Sequence, residues 1–195
     1  MDEHSTRERI ILSALACIEK EGLHSVTIRS VAREAGVNSA AINYYFGSKK
    51  KLIEAALQLA MKNAMANFEM FEEKGKSPFE IFREFFRHNF EGMVNYPEIV
   101  KARFYNPFTK KVYDRDILEW KNKFLDSMLI NIKRFHPEIG DMNIKLIVMQ
   151  TLSAMLFPAM FPGMFDDFTG IDLKNPEIQK VYIDFLLDHY LGRFK

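Results

Sequence analysis

The chain has 195 residues, a net charge of +1 and one cysteine. A chain of this length can bury roughly 70% of its unfolded surface, so it can fold without a metal or a disulfide. One cysteine excludes an intramolecular disulfide and is consistent with a reducing compartment. No apolar run follows a basic start, so we expect no signal peptide, and the flanks and length of the apolar stretch 146–165 favour a buried helix over a membrane span.

Apolar residues recur at helical spacing along almost the whole chain, and no segment alternates as a strand does. The first helix is expected to begin at a capping box formed by Ser5 and Glu8 and to end at Gly22. Two short helices follow, and a long fourth helix is expected over residues 49–74. The sequence therefore predicts an all-α fold of about nine helices.

Prolines and capping residues divide the rest of the chain. Ser77-Pro-Phe-Glu80 has a cap, a proline at the first helical position and a reciprocal carboxylate, so it predicts a helix start. Helices are expected to be interrupted before Pro97, Pro107 and Pro137, because the residue before proline disfavours helix. The last two long helices are expected to begin at Asp141 and Asn175, with a loop over residues 162–175 between them.

Residues 27–46 have the pattern of a helix-turn-helix. Thr27 can cap a first short helix with a small apolar inner face, and Gly36 can adopt the left-handed conformation of a tight turn. Asn38 can cap a second short helix, in which Ile42 and Phe46 are four residues apart and predict the buried face. The outer face is then free to enter a DNA major groove, and it comprises Ser39, Ala40, Asn43 and Tyr44.

Positive charge is concentrated around this segment. Residues 27–51 carry five basic side chains and one acid, a local charge of +4 in a chain whose total is +1. Lys49, Lys50 and Lys51 lie at the start of the long fourth helix, where unpaired backbone amides and the helix dipole also favour phosphate. Contacts of this kind supply affinity for double-stranded DNA without reading its sequence.

These residues resemble the DNA-binding domain of the TetR family of transcriptional regulators, over residues 6–52. The resemblance is carried by Gly22, Thr27, Val31-Ala32, Ala35-Gly36-Val37, the run 41–49 and Leu52. It implies a helix-turn-helix domain at 1–48 and a helical dimerisation and ligand-binding domain at 49–195. Position 39, often basic in the family, is Ser here, and position 45, often His, is Tyr.

The resemblance implies phosphate contacts from Thr27, Tyr44, Tyr45 and Lys49, and places Ser39, Ala40 and Asn43 nearest the bases. Together with Arg29 and Asn38, these are the predicted DNA-binding residues. The family also implies a bacterial, cytoplasmic repressor that binds a palindromic operator as a homodimer. The sequence independently provides wide apolar faces on the last two long helices. The interface residues predicted there are Ile147, Thr151, Met155, Val181, Phe185 and His189.

A small-molecule effector is a further implication of the resemblance. The body is rich in aromatic and methionine side chains, which suit an apolar, adaptable pocket but are equally typical of plain core. The candidates for ligand contact are Phe86, Phe90, Trp120, Phe124 and Met155. Arg87 and Arg103 are among the polar side chains available, although no spacing selects them.

Two other functions stay open at this point. A ligand-independent DNA-binding regulator would have the same sequence features. A helical-bundle enzyme is the more distant alternative, because no catalytic or metal-binding motif, such as His-Glu-x-x-His or a glycine-rich phosphate loop, occurs. We therefore expect no catalytic residues, no metal and no cofactor.

Overall fold

The computed structural model describes residues 3–65, 77–111 and 115–192. Within these ranges the chain is all-α, as expected, but it has ten helices rather than about nine. They are α1 (Glu3–Glu21), α2 (Ile28–Ala35), α3 (Ser39–Phe46), α4 (Lys49–Met65), α5 (Pro78–Asn95), α6 (Pro97–Lys110), α7 (Arg115–Phe135), α8 (Asp141–Met160), α9 (Pro162–Thr169) and α10 (Pro176–Leu191).

The helices form two compact units. Unit 1 comprises residues 1–64 and 96–110, and unit 2 comprises residues 65–95 and 111–195. This division differs from the predicted boundary after residue 48, because α4 and α6 share the core of α1–α3. Leu52 and Ala56 of α4 and Ala102 of α6 are buried in that core.

In unit 1, α6 is also held by a part-buried polar contact. The Glu19 carboxylate of α1 accepts hydrogen bonds of 3.1 Å from the backbone N–H groups of Glu98 and Ile99, in the first turn of α6. It thereby satisfies two of the amides that a helix start leaves without partners. Burial is the largest influence on this carboxyl and raises the pKa of Glu19. A helix distant in sequence is thus held to the DNA-binding segment.

Unit 2 is built around an aromatic stripe of α5. Phe82, Phe86 and Phe90 recur every fourth residue and are fully buried, as expected for the inner face of a helix. Phe86 meets Phe124 of α7 edge to face, with ring centroids 6.1 Å apart. On the same helix, the Nε–H and Nη2–H groups of Arg87 donate to the two carboxylate oxygens of Asp184 in α10. This charged pair joins α5 and α10.

Several predicted helix boundaries are confirmed. α1 ends before Gly22, which has φ 76°. The Ser77–Glu80 capping box is present, with the Ser77 N–H donating to the Glu80 carboxylate at 2.8 Å and the Glu80 N–H donating to the Ser77 hydroxyl at 3.3 Å. α8 begins at Asp141, and Asn175 caps α10. The predicted extension of α4 beyond residue 65 lies outside the described residues.

Three predicted boundaries are wrong. α1 begins at Glu3, so Ser5 lies within the helix rather than at its cap. Pro107 lies inside α6, which continues to Lys110. The loop predicted from residue 162 contains α9, because Pro162 at the first helical position favours a helix start and Gly170 at φ 69° ends it.

The apolar helix α8 is long and apolar enough, by composition alone, to cross a membrane, and it is the one such helix in the described ranges. Its inner face lies in the core of unit 2 with α5, α7 and α10, through residues such as Ile144 and Met155. The hydroxyl of Tyr182 in α10 donates to the backbone carbonyl of Ala154 at 2.7 Å. These contacts place the inner face of α8 in the core of unit 2, whereas its outer face is exposed.

Candidate nucleic-acid interface

The first helix of the motif, α2, begins with a reciprocal cap. Thr27 has extended backbone angles, and its hydroxyl accepts a hydrogen bond of 3.0 Å from the Ser30 N–H. The Ser30 hydroxyl in turn accepts from the Thr27 N–H at 2.9 Å. A capping box therefore fixes the entry of α2, and Ser30 completes it although the sequence analysis did not single it out.

The turn between the two short helices depends on Gly36. Its φ of 63° and ψ of 37° are left-handed, and its N–H together with that of Val37 bonds the last carbonyls of α2. Asn38 follows at once, and its side-chain oxygen accepts a hydrogen bond of 2.8 Å from the Ala41 N–H to start α3. Two residues separate the end of one helix from the cap of the next, so the relative orientation of α2 and α3 is set locally.

The second helix, α3, presents opposite faces to the core and to solvent. Ile42 and Phe46 are buried, and the Arg7 guanidinium lies 5.2 Å from the centroid of the Phe46 ring. On the other face, Asn43 is exposed and Tyr44 is 77% exposed. A large aromatic side chain left in solvent on a short, capped helix is available to contact a macromolecule.

The predicted DNA-binding residues fall into two groups. Five have exposed side chains that do not cap a helix, and these are Arg29, Ala40, Asn43, Tyr44 and Lys49. The other four either cap a helix or are partly buried. Thr27 and Asn38 use a side-chain oxygen as a helix cap, Ser39 is half-buried, and Tyr45 packs against the core of unit 1. Their DNA contacts stay predictions.

The start of α4 lies directly after this helix. Gly47 ends α3 with φ 71°, and the Ser48 hydroxyl accepts a hydrogen bond from the Lys51 N–H at 3.2 Å. Lys49, Lys50 and Lys51 are all exposed, with Lys50 3.7 Å from Glu54. No acid lies in the first turn of α4, so the helix N-terminus and its lysines form a positive end that suits a phosphate.

Replacing Gly36 by Ala is expected to destabilise unit 1 by about 1–2 kcal/mol, because a Cβ is strained at this φ. Nothing lies within 4 Å of the added Cβ, so the whole effect is backbone strain. Gly92 inside α5 has equally open space and is the matched control. Gly92→Ala should stabilise by roughly 0.5–1 kcal/mol. Urea unfolding midpoints measure the change in stability of both variants. A shift of the midpoint in the same direction for both would contradict this explanation.

The described ligand-pocket candidates lie in the core of unit 2. Phe86, Phe90, Phe124 and Met155 are each at most 4% exposed, and Phe90 stacks on Tyr182 with centroids 5.0 Å apart. The Trp120 side chain lies outside the described residues. One open crevice, of about 290 Å³, lies instead in unit 1, lined by α1–α2 loop residues and by α6. A ligand role for the core residues stays a prediction.

The predicted dimer-interface residues divide between two faces. Ile147, Thr151 and Met155 are buried in the core of unit 2, so they offer no surface to a partner and their assignment needs correction. Sequence periodicity selected the inner stripe of a helix that is apolar on both sides. Val181, Phe185 and His189 are exposed as expected. The exposed apolar residues of α8 are Met142, Leu146, Met149, Leu152 and Phe157.

The comparisons agree with this geometry. Residues 10–56 match the family model of bacterial regulatory proteins, tetR family. The HTH-type transcriptional regulator BetI of Serratia proteamaculans is 38% identical over 52 residues, which cover 27% of this chain and 26% of that protein. The BetI protein of Agrobacterium fabrum is 24% identical over 182 residues, covering 87% of this chain and 88% of that protein.

Solved structures extend the likeness to the whole fold. A TetR-family regulator from Mesorhizobium loti superposes with a TM-score of 0.71 at 14% identity, covering 99% of this chain and 98% of that one. One from Streptomyces coelicolor gives a TM-score of 0.66 at 19% identity, covering 99% and 85%. At such identities the likeness establishes the all-helical fold.

The capped helix pair and the positive start of α4 define a helix-turn-helix DNA-binding domain, carried by a chain with a second helical unit. Residues 10–56 are similar to the DNA-binding domain of the tetR family of bacterial regulatory proteins, and the fold of the chain is that of solved proteins of this family. The matched proteins are transcriptional regulators, which favours a DNA-binding regulator over the enzyme alternative.

Proposed function

We propose that this protein is a sequence-specific transcriptional repressor of the bacterial cytoplasm, which binds a palindromic operator as a homodimer and is released by a small-molecule effector. The observation that carries the DNA-binding part is the outer face of α3. Asn43 and Tyr44 lie exposed on a helix whose Ile42 and Phe46 are buried and whose two ends are capped. A rigid helix with a solvated polar face is what reading a major groove requires.

The side chains of this face divide by chemistry. Ala40 is small and lets the helix approach the base edges, and Asn43 offers a donor and an acceptor that match adenine. Tyr44, Lys49 and Arg29 are suited to phosphates, which fix the register on the duplex. Ser39 lies nearest the bases in the first turn, and Thr27, Asn38 and Tyr45 would contact the backbone from positions fixed by their caps and packing.

The homodimer is supported by an apolar surface on unit 2. α8 and α10 pack side by side, joined by the bond from Tyr182 to the carbonyl of Ala154. The outer stripe of α10 exposes 64% of Val181 and 75% of Phe185, and that of α8 exposes Met149 and Phe157. Neighbouring helices with large exposed apolar side chains are typical of a surface that a second copy covers across a two-fold axis.

Release by an effector rests on the family alone, and one observation favours the alternative of a ligand-independent regulator. The described aromatic candidates Phe86, Phe90 and Phe124 are packed against one another or against Tyr182. A ligand that enters this core has to displace those contacts. A thermal-shift screen separates the two functions, because a ligand that binds only the folded state raises the unfolding midpoint.

The DNA-reading proposal is tested by selecting bound duplexes from a random pool and titrating the selected duplex at several salt concentrations. We expect a palindromic sequence with half-sites roughly 34–36 Å apart or a multiple of that distance. The logarithm of the binding constant should fall steeply with the logarithm of salt concentration. No enrichment, even after unfolding and refolding to remove any bound ligand, would contradict the proposal.

A further inference from the structure

The open crevice of unit 1 lies between the loop that joins α1 to α2 and one side of α6. Its volume is about 290 Å³, and it is lined by residues 21–25 and by Glu98, Lys101, Ala102 and Tyr105 of α6. Small-molecule sites have volumes of about 300–1,000 Å³, so the crevice is of a size for a small ligand. No residue of α3 lines it, so it is a different surface from the DNA-reading face.

One wall of the crevice is aromatic. The His24 ring of the loop meets the Tyr105 ring of α6 edge to face, with centroids 4.6 Å apart. His24 is exposed and Tyr105 is half-buried, and neither ring belongs to the core of unit 1. Aromatic rings pack against apolar groups and attract cations to their faces. This wall therefore suits a ligand with an apolar body and a positive charge.

The polar wall of the crevice carries more acid than base. The Oε1 atom of Glu98 binds Lys101 at 2.6 Å, whereas Oε2 faces the backbone of Gly22, where an added Cβ would lie 3.8 Å from it. Glu21 makes no ion pair with the described part of the chain. It lies in the last turn of α1, where the helix dipole disfavours a carboxylate. Two carboxylates from separate helices thus face a single lysine, an arrangement that favours a cationic ligand.

We propose that this crevice binds a small primary ammonium ion that carries an apolar or aromatic body. The ammonium group has three N–H donors, which match the carboxylates of Glu21 and Glu98 in charge-assisted hydrogen bonds. The body packs on the rings of His24 and Tyr105. One pair of rings does not enclose a cation as an aromatic cage does, so N–H donors are needed and a quaternary ammonium ion fits less well. The inference rests on the proposed function, for which it names the effector class.

The walls of the crevice connect it to the helix-turn-helix. On one side, the Ser25 N–H donates to the Gly22 carbonyl at 3.2 Å, and Thr27, the cap of α2, follows two residues later. On the other side, the Glu19 carboxylate of α1 holds the first turn of α6. A ligand that separates the loop from α6 therefore moves the start of α2. Because the orientation of α2 and α3 is set locally, the reading helix moves with it.

The test uses the whole protein and the hydrochlorides of butylamine, benzylamine and phenethylamine. Benzyl alcohol is the control without charge, and benzyltrimethylammonium chloride is the control with charge but without N–H donors. Amide chemical shifts of isotope-labelled protein give both the place of binding and the dissociation constant. We expect the amines to shift residues 21–25 and α6. Benzylamine should bind at least about tenfold more tightly than either control, as for hydrogen bonds to a charged group.

Two variants remove the charge of the crevice and keep the shape of its side chains. Glu21→Gln and Glu98→Gln should each weaken benzylamine binding by roughly tenfold. Glu8→Gln, at an exposed acid of α1 outside the crevice, is the matched control and should bind the amine normally. Equal binding of benzylamine and benzyl alcohol would overturn the proposal, as would normal amine binding by both crevice variants or no shift at residues 21–25 with any probe.

Binding of the selected duplex separates failure of this inference from failure of the proposed function. The duplex is titrated with saturating benzylamine, and with benzyltrimethylammonium chloride at the same concentration as the control for ionic strength. We expect benzylamine to weaken duplex binding by about fivefold or more, and less in Glu21→Gln. Amine binding that leaves the duplex affinity unchanged refutes the effector role. Normal duplex binding without amine binding refutes the crevice site alone, whereas amine binding by a protein that selects no duplex refutes the repressor.

Discussion

Phe185→Asp is expected to convert the protein into a monomer and to weaken operator binding by roughly a hundredfold to ten-thousandfold. The Phe185 side chain is 75% exposed, so the change removes no core contact within the chain. In a dimer the same residue would be desolvated, and an unpaired carboxylate there is costly. In a dimer, binding of one DNA-binding domain holds the other at a high effective concentration near the second half-site. A monomer lacks this contribution to operator affinity.

The matched control is Phe108→Asp. Phe108 is also an exposed phenylalanine on a helix, at 74%, but it belongs to α6 of unit 1 and not to α8 or α10. We expect this variant to stay dimeric and to bind the operator normally. Sedimentation velocity gives the oligomeric state, and fluorescence anisotropy with labelled duplex gives the affinity. A dimeric Phe185→Asp protein with unchanged affinity would show that the dimer uses another face.

The helix-turn-helix could be predicted almost residue by residue because its determinants are local. A threonine cap, a left-handed glycine and an asparagine cap act over three or four residues, and the structure confirms each at Thr27, Gly36 and Asn38. The buried faces follow from spacing alone. Ile42 and Phe46 lie inward as predicted, and Ala40, Asn43 and Tyr44 of the predicted outer face are exposed, whereas Ser39 is half-buried.

The body of the protein could be predicted less well because its arrangement depends on contacts distant in sequence. Nothing near residue 97 indicates that α6 returns to unit 1, since its cap comes from Glu19, nearly 80 residues earlier. In α8, both the inner Met155 and the outer Met149 are apolar, so periodicity did not separate core from surface. The prediction therefore chose three core residues as an interface.

Asn43→Ala and Lys49→Ala are expected to affect DNA binding in different ways. A side chain that pairs with a base supplies roughly 1–3 kcal/mol of discrimination, or about 2–6 kcal/mol for the two half-sites of a dimer. Asn43→Ala should therefore weaken the selected operator and relax the preference at one base pair of each half-site. Non-specific binding, which phosphates dominate, should change little.

Lys49→Ala should weaken selected and unrelated duplexes alike, because a phosphate contact carries no sequence information. The slope of log binding constant against log salt should become shallower by about one unit per half-site. Lys62→Ala, at an exposed lysine near the other end of α4, is the matched control and should leave the slope unchanged. If Asn43→Ala alters the salt slope while Lys49→Ala alters base preference, the orientation of α3 against the duplex differs from the one proposed. The two variants thus test which face of α3 contacts the bases without a structure of the complex.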